Sequence, residues 1–112
     1  MAKVDFLQEG ESIIMEGNAN MKQALGITKG GKLYLTNQRL VFKAGKLNFG
    51  SNLDEIPLGD IAMTGNKLDI FLPTPNMIKV STRGGKTYQF IVTGKQKAEW
   101  KEKIENLVNS NQ

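Results

Sequence analysis

Gly31-Lys32-Leu33-Tyr34-Leu35-Thr36-Asn37-Gln38-Arg39-Leu40-Val41-Phe42-Lys43 holds two β-rich runs, residues 32–36 and 39–43, parted by Asn37-Gln38. Tyrosine, threonine, valine and phenylalanine suit a pleated, half-buried surface, so the stretch reads as an antiparallel hairpin. Side chains alternate across a strand, which puts Leu40 and Phe42 on one face and Arg39, Val41 and Lys43 on the other.

The period of two recurs on both sides of this hairpin. Downstream, Gly45 and Gly50 bracket a loop, and runs at 53–58 and 61–64 follow with Pro57 between them. Proline has no N–H to donate, so this run is an edge strand or a bent one. Gly65-Asn66 then turns the chain. In residues 67–72, Leu68, Ile70 and Leu72 share a face, and Pro73-Thr74-Pro75-Asn76 is a loop. A second hairpin spans 77–92. Ile78, Val80 and Thr82 share one face of its first strand, and Tyr88, Phe90 and Val92 share one face of the return strand. Gly84-Gly85 between them suits a type I′ turn, with positive φ at both positions. Upstream, residues 12–20 read as a strand after a short lead-in. Residues 21–31 admit two readings, a long connection or an additional strand, closed by Gly30-Gly31.

Beyond Val92 the period changes from two to 3.6. Thr93 with Gln96 matches a capping box. Trp100, Ile104, Leu107 and Val108 fall on one helical face, which predicts a helix near residues 94–109. The layout is about seven strands followed by one amphipathic helix. Such a helix plugs one opening of a small barrel, with Trp100 as the core plug.

The chain of 112 residues is one domain's worth. It divides into a lead-in (1–10), a single domain (11–109) and a polar tail (110–112). Cysteine and histidine are both absent, which excludes a disulfide framework, a zinc finger, a thiolate nucleophile and an imidazole base. Ser12, Ser51, Ser81 and Ser110 therefore have no histidine to activate them. Asp54, Glu55, Asp60 and Asp69 lack the spacing of an oxygen cage, and Asp60 is expected to serve a turn. Gly26, Gly30 and Gly31 with Lys32 lack the Gly-Lys-Ser/Thr ending of a phosphate loop. The sequence thus predicts no enzyme, no metal and no cofactor. It has no apolar run of about 20 residues and no secretory signal at its start, so a cytoplasmic protein is expected.

Charge is segregated along the chain. Residues 1–20 sum to −3, 21–50 to +6 with no acid at all, 51–75 to −3 and 76–112 to +4. The acid-free stretch is either a solvated lysine-rich face or a contact surface for an anionic partner.

The central hairpin resembles the signature of the GRAM domain family: a glycine, a Leu-Tyr-Leu-Thr strand (33–36), a tight turn, and an Arg-Leu-Val-Phe strand (39–42). Ile56-Pro57-Leu58-Gly59-Asp60-Ile61 is similar to the family's "Ile-Pro-Leu, then Asp-Ile" element, and Lys86-Thr87-Tyr88-Gln89-Phe90 and the Trp-bearing helix follow in the family's order. The resemblance covers most of residues 10–108. It implies a mainly β, pleckstrin-homology-like barrel of about seven antiparallel strands in two near-orthogonal sheets, capped by one C-terminal α-helix. It also implies a lipid- or protein-binding module, and a chain of this size looks like a bacterial single-domain member.

In the resembling fold three strand connections gather at the barrel end opposite the helix. Here they carry Lys22, Lys29, Lys43, Lys46, Arg83 and Lys86, which are the expected sites for an anionic headgroup. Leu47 and Phe49 lie in the same region, as membrane-inserting side chains or as groups folded back onto the barrel. The expected function is weak, non-enzymatic binding of anionic membrane lipid, with the protein peripheral on the inner face of the membrane. The rival is an adaptor or homo-oligomer that meets an acidic protein surface or uses a strand edge or the helix. Single-stranded nucleic acid ranks below both; it would need Tyr34, Phe42 and Phe49 exposed beside the lysines to stack bases.

Overall fold

The computed structural model describes residues 7–24, 27–44, 53–64, 67–68, 70–71, 77–92 and 96–110. They form β1 (Ile13–Ala24), β2 (Ile27–Thr36), β3 (Arg39–Ala44), β4 (Leu53–Pro57), β5 (Met63–Thr64), β6 (Lys67–Leu68), β7 (Ile70–Phe71), β8 (Met77–Ser81), β9 (Thr87–Val92) and the helix α1 (Lys97–Ser110). A 3-10 turn at Leu58–Asp60 follows β4. The main sheet runs β4-β3-β2-β1-β9-β8-β7, and β5 and β6 pair separately. All pairings are antiparallel. β1 is the joint of the fold. It pairs with β2 from Ile13 to Ala24 and with β9 through Ala19, Asn20 and Met21. The expected mainly β, antiparallel fold with one C-terminal helix is the one observed; in place of two near-orthogonal sheets, the strands form one curled seven-stranded sheet and the separate β5–β6 pair.

One face of the curled sheet is the core. In register across β1 to β4, Met15, Leu35, Leu40 and Ile56 line up, as do Gly17, Leu33, Phe42 and Asp54. From the other half come Ile78, Val80, Phe90 and Val92, all buried as the alternation in residues 77–92 predicted. Trp100 and Ile104 of α1 are fully enclosed, and Val108 is buried. The helix lies against β1 at Gly17, where a Cβ would stand 3.5 Å from the Trp100 ring and 2.7 Å from the Gln96 side-chain oxygen. The expected core plug is therefore in place.

Several local expectations change. Neither reading of residues 21–31 holds: there is no long connection and no additional strand, because β1 continues to Ala24 and β2 begins at Ile27, and the two pair along their length. Gly31 is needed there, since a Cβ would stand 2.2 Å from the Lys43 carbonyl oxygen. The turn at Gly84-Gly85 is not type I′. Only Gly85 has positive φ, at 91°. Gly85 N–H donates to the Thr82 carbonyl at 3.0 Å, so Arg83 and Gly84 form the centre of the turn and Gly85 the left-handed residue that closes it. The run at 67–72 divides because β6 pairs with β5 while β7 pairs with β8. Pro57 does end an edge strand, but the chain then makes a 3-10 turn. Asp60 closes that turn, and its carbonyl accepts from Arg83 N–H at 2.9 Å. β3 is buried on both faces, because Val41 lies in register with buried Tyr34 and Arg39 is drawn inward by an acid. The helix begins at Lys97; Thr93 of the expected capping box, the Gly65-Asn66 turn and Leu72 lie outside the described residues.

Candidate functional site

The end of β1 and the start of β2 lie beside the β8–β9 hairpin and β4. A cleft of about 230 Å³ opens between them, lined by Met21, Lys22, Lys29, Asp54, Lys86, Thr87 and Tyr88. Met21, Lys29, Asp54 and Tyr88 continue the core-facing rows of their strands, so the cleft is the mouth of the barrel. At about 3.3 Å per residue, it sits roughly 16 Å along β1 from the point where the helix closes the other side. Three lysines and one aspartate give it a net charge of +2. Lys29 Nζ is 3.3 Å from Asp54 Oδ2, with both side chains partly open to solvent. Lys86 Nζ lies 4.8 Å from the centre of the Tyr88 ring, within cation–π range. Tyr88 stacks on Phe90 at 6.2 Å, and Phe90 meets Phe42 at 5.8 Å, so a ladder of rings anchors the mouth to the core.

Of the basic residues expected to act together, the cleft gathers Lys22, Lys29 and Lys86. Lys43 is elsewhere: it alternates with inward-facing Phe42 and lies in register with Lys32 and Leu53 on the outer face. Arg83 is exposed in the β8–β9 turn and does not line the cleft. Lys46, Leu47 and Phe49 lie outside the described residues, as does Asp69. The cleft residues not anticipated are Met21, Asp54, Thr87 and Tyr88. Tyr88 had a legible signal, since it stands two residues after Lys86 on the apolar face of its strand.

The acid-free stretch is not a uniform positive field. Lys29 pairs with Asp54, and Lys32 Nζ lies 3.1 Å from Glu16 Oε2 on the outer face. Hydrogen bonding to Glu16 raises the Lys32 pKa. Arg39 is buried and pairs with Glu11 and Glu55. Antiparallel pairing sets the bases of 21–50 beside acids of the flanking segments. The aromatic residues fare similarly: Tyr34 and Phe42 are buried, which removes both as base-stacking groups.

Arg39 organises the turn between β2 and β3. Its Nε and Nη2 donate to the two Glu11 oxygens at 2.7 and 2.9 Å. Nη1 donates to Glu55. Thr36 Oγ1 donates to Glu11 Oε2 at 2.6 Å and accepts from Arg39 N–H and Gln38 N–H at 3.0 and 3.1 Å. Asn37 Nδ2 donates to the Gly10 carbonyl, and Ser12 N–H donates to Asn37 Oδ1. The Thr-Asn-Gln-Arg segment is thus a clasp that holds the incoming chain at residues 8–12. The Arg39 hydrogen bonds, working against burial, lower the Glu11 pKa from 4.5 to about 2.

This clasp lies within the segment that resembled a family signature, and residues 1–111 match the GRAM domain. The chain belongs to the GRAM domain family. This GRAM domain matches no curated protein sequence. Its fold is similar to the N-terminal PH domain of human ARAP2, with a TM-score of 0.71, 16% identity, and coverage of 87% of this chain and 80% of that one. The Vps36 N-terminal PH domain gives a TM-score of 0.69 at 15% identity, covering 93% of this chain and 83% of the other. The C-terminal domain of an unknown protein from Leishmania infantum gives 0.66 at 18% identity, covering 89% and 86%. The expected pleckstrin-homology-like fold is therefore the fold of this GRAM domain. GRAM and PH-like domains are commonly lipid- or protein-binding modules and are generally non-catalytic. Among the described residues, no helix is long and apolar enough to cross a membrane.

Proposed function

We propose that this GRAM domain is a non-catalytic module that binds phosphate-bearing anionic lipid headgroups, weakly and with little headgroup choice, at the mouth of its barrel. The observation that carries this reading is that Lys22, Lys29 and Lys86, from two hairpins, line one cleft. Each basic group beside a negatively charged membrane contributes about 1 kcal/mol, so three give measurable but weak attachment. Lys86, placed over Tyr88, has its ammonium held near the rim rather than sweeping freely. Arg83, exposed at the neighbouring turn, adds long-range attraction, and Lys46 is proposed to do the same, whereas Lys43 faces away from the mouth. Leu47 and Phe49 are proposed to enter the headgroup layer. The module works peripherally, on an anionic membrane face.

Flotation with vesicles of phosphatidylcholine alone, or containing phosphatidylglycerol, tests this at two salt concentrations. Binding is expected only to the acidic vesicles, and should fall as the Debye length shrinks from about 10 Å at 0.1 M to about 3 Å at 1 M. Equal binding to both vesicle types, or to neither, would sink the lipid reading and favour a protein-interaction module.

A further inference from the structure

The cleft carries an acid at the place where an anion is expected to sit. Asp54 is the second residue of β4, and its position in register with Phe42 and Leu33 turns it to the inner face, toward the mouth. Its carboxylate reaches Lys29 Nζ at 3.3 Å, longer than the 2.7–2.9 Å or so of a tight charge-assisted bond. The Lys29 and Asp54 side chains are 36% and 25% exposed. Such a loose, partly hydrated pair is weak and exchanges with water. We propose that Asp54 is a built-in competitor for the phosphate group: it occupies Lys29 in the empty cleft, must give it up when a phosphate enters, and so sets how weakly the site binds. This rests on the anionic-headgroup reading above and adds to it the residue that limits affinity.

The consequence is opposite to that of removing a charge from a structural ion pair. Asp54→Asn keeps the size of the side chain, removes its repulsion of an incoming anion and releases Lys29. Affinity for a phosphate-bearing surface should rise five- to tenfold, the equivalent of about 1–1.4 kcal/mol. Glu16→Gln supplies the control. It makes the same change in net charge, but Glu16 pairs with Lys32 on the outer face of the sheet.

The experiment measures binding of the parent, Asp54→Asn, Glu16→Gln, Lys29→Gln and the Asp54→Asn/Lys29→Gln double variant to phosphatidylglycerol-containing vesicles. A parallel arm uses soluble glycerol 1-phosphate, and denaturation midpoints confirm that each variant is folded. The expected result is tighter binding by Asp54→Asn, no more than a twofold change for Glu16→Gln, and loss of the gain in the double variant. A gain with glycerol phosphate as well assigns the seat to the phosphate group itself. A gain confined to vesicles assigns it to the lipid surface, and either outcome supports the competitor role. Unchanged or weaker binding by Asp54→Asn while the parent still binds acidic vesicles would overturn this role alone. An equal gain from Glu16→Gln, or a gain that persists without Lys29, would also overturn it. No binding by the parent or by Asp54→Asn would overturn both the role and the headgroup reading.

Discussion

Arg39 grips Glu11 with two parallel hydrogen bonds, Nε to Oε2 at 2.7 Å and Nη2 to Oε1 at 2.9 Å, across 28 positions of sequence. The pair joins the segment just before β1 to the turn of the central hairpin. Both side chains are enclosed, so each charge depends on the other for its solvation. Glu11→Gln is expected to cost about 3 kcal/mol in a denaturation experiment, toward the lower end for a broken buried pair because Glu55 still faces Arg39. An unchanged midpoint would show that the clasp contributes nothing.

The same pair sets an acid limit to stability. Glu11 has a folded-state pKa of about 2 against an ordinary 4.5, so the unfolded chain binds its proton first as pH falls. Its contribution, on the order of 3 kcal/mol, is whole above pH 4.5 and is lost as pH falls toward about 2. Stability measured across this window should drop more steeply for the parent than for Glu11→Gln. Parallel curves would contradict the assignment.

Trp100→Ala should destabilise by about 3–5 kcal/mol, since the indole is fully enclosed where α1 meets β1. The indole Nε1–H is buried and has no hydrogen-bond partner among the described residues. Trp100→Phe removes this donor and some volume but keeps most of the aromatic packing, so its cost should be less than half that of the alanine variant. Equal costs for the two would mean that the N–H is satisfied in solution.

Gly31→Ala should destabilise by about 1–3 kcal/mol or prevent folding, because the added methyl meets the Lys43 and Ala44 backbone and the buried Phe42 ring, none of which can swing away. Gly84→Ala is the contrast. Nothing stands within 4 Å of a Cβ there and φ is not positive, so thermal unfolding should change little. Comparable losses at both sites would argue against the close approach of β2 and β3.

The fold was legible in Leu33 to Phe42, in the alternation of Ile78, Val80, Phe90 and Val92, and in the helical spacing of Trp100 and Ile104. Each is a local period that burial enforces. The extent of β1 was ambiguous, because Asn18, Asn20 and Lys22 on its exposed side give no apolar alternation to follow. The candidate site was half legible for a related reason. The strand connections of the resembling fold pointed to Lys22, Lys29 and Lys86, but the charge sum over residues 21–50 counted Arg39 and Lys32 without their partners. Their partners Glu11, Glu55 and Glu16 come from other strands, and only register brings them together. Lys43 and Asp54 show the same limit: strand alternation sends the lysine out and the acid in, which a sum of charges cannot express.

The central claim is that the mouth of the barrel, and not basic charge in general, meets the anionic surface. Its most direct test compares two variants of equal charge change by sedimentation with phosphatidylglycerol-containing vesicles. One variant combines Lys22→Gln, Lys29→Gln and Lys86→Gln; the other combines Lys79→Gln, Lys101→Gln and Lys103→Gln, on β8 and α1. The account predicts that the first loses vesicle binding while keeping its fold, since exposed charges contribute little to stability, and that the second binds like the parent. Equal loss in both variants, or retained binding by the first, would contradict it.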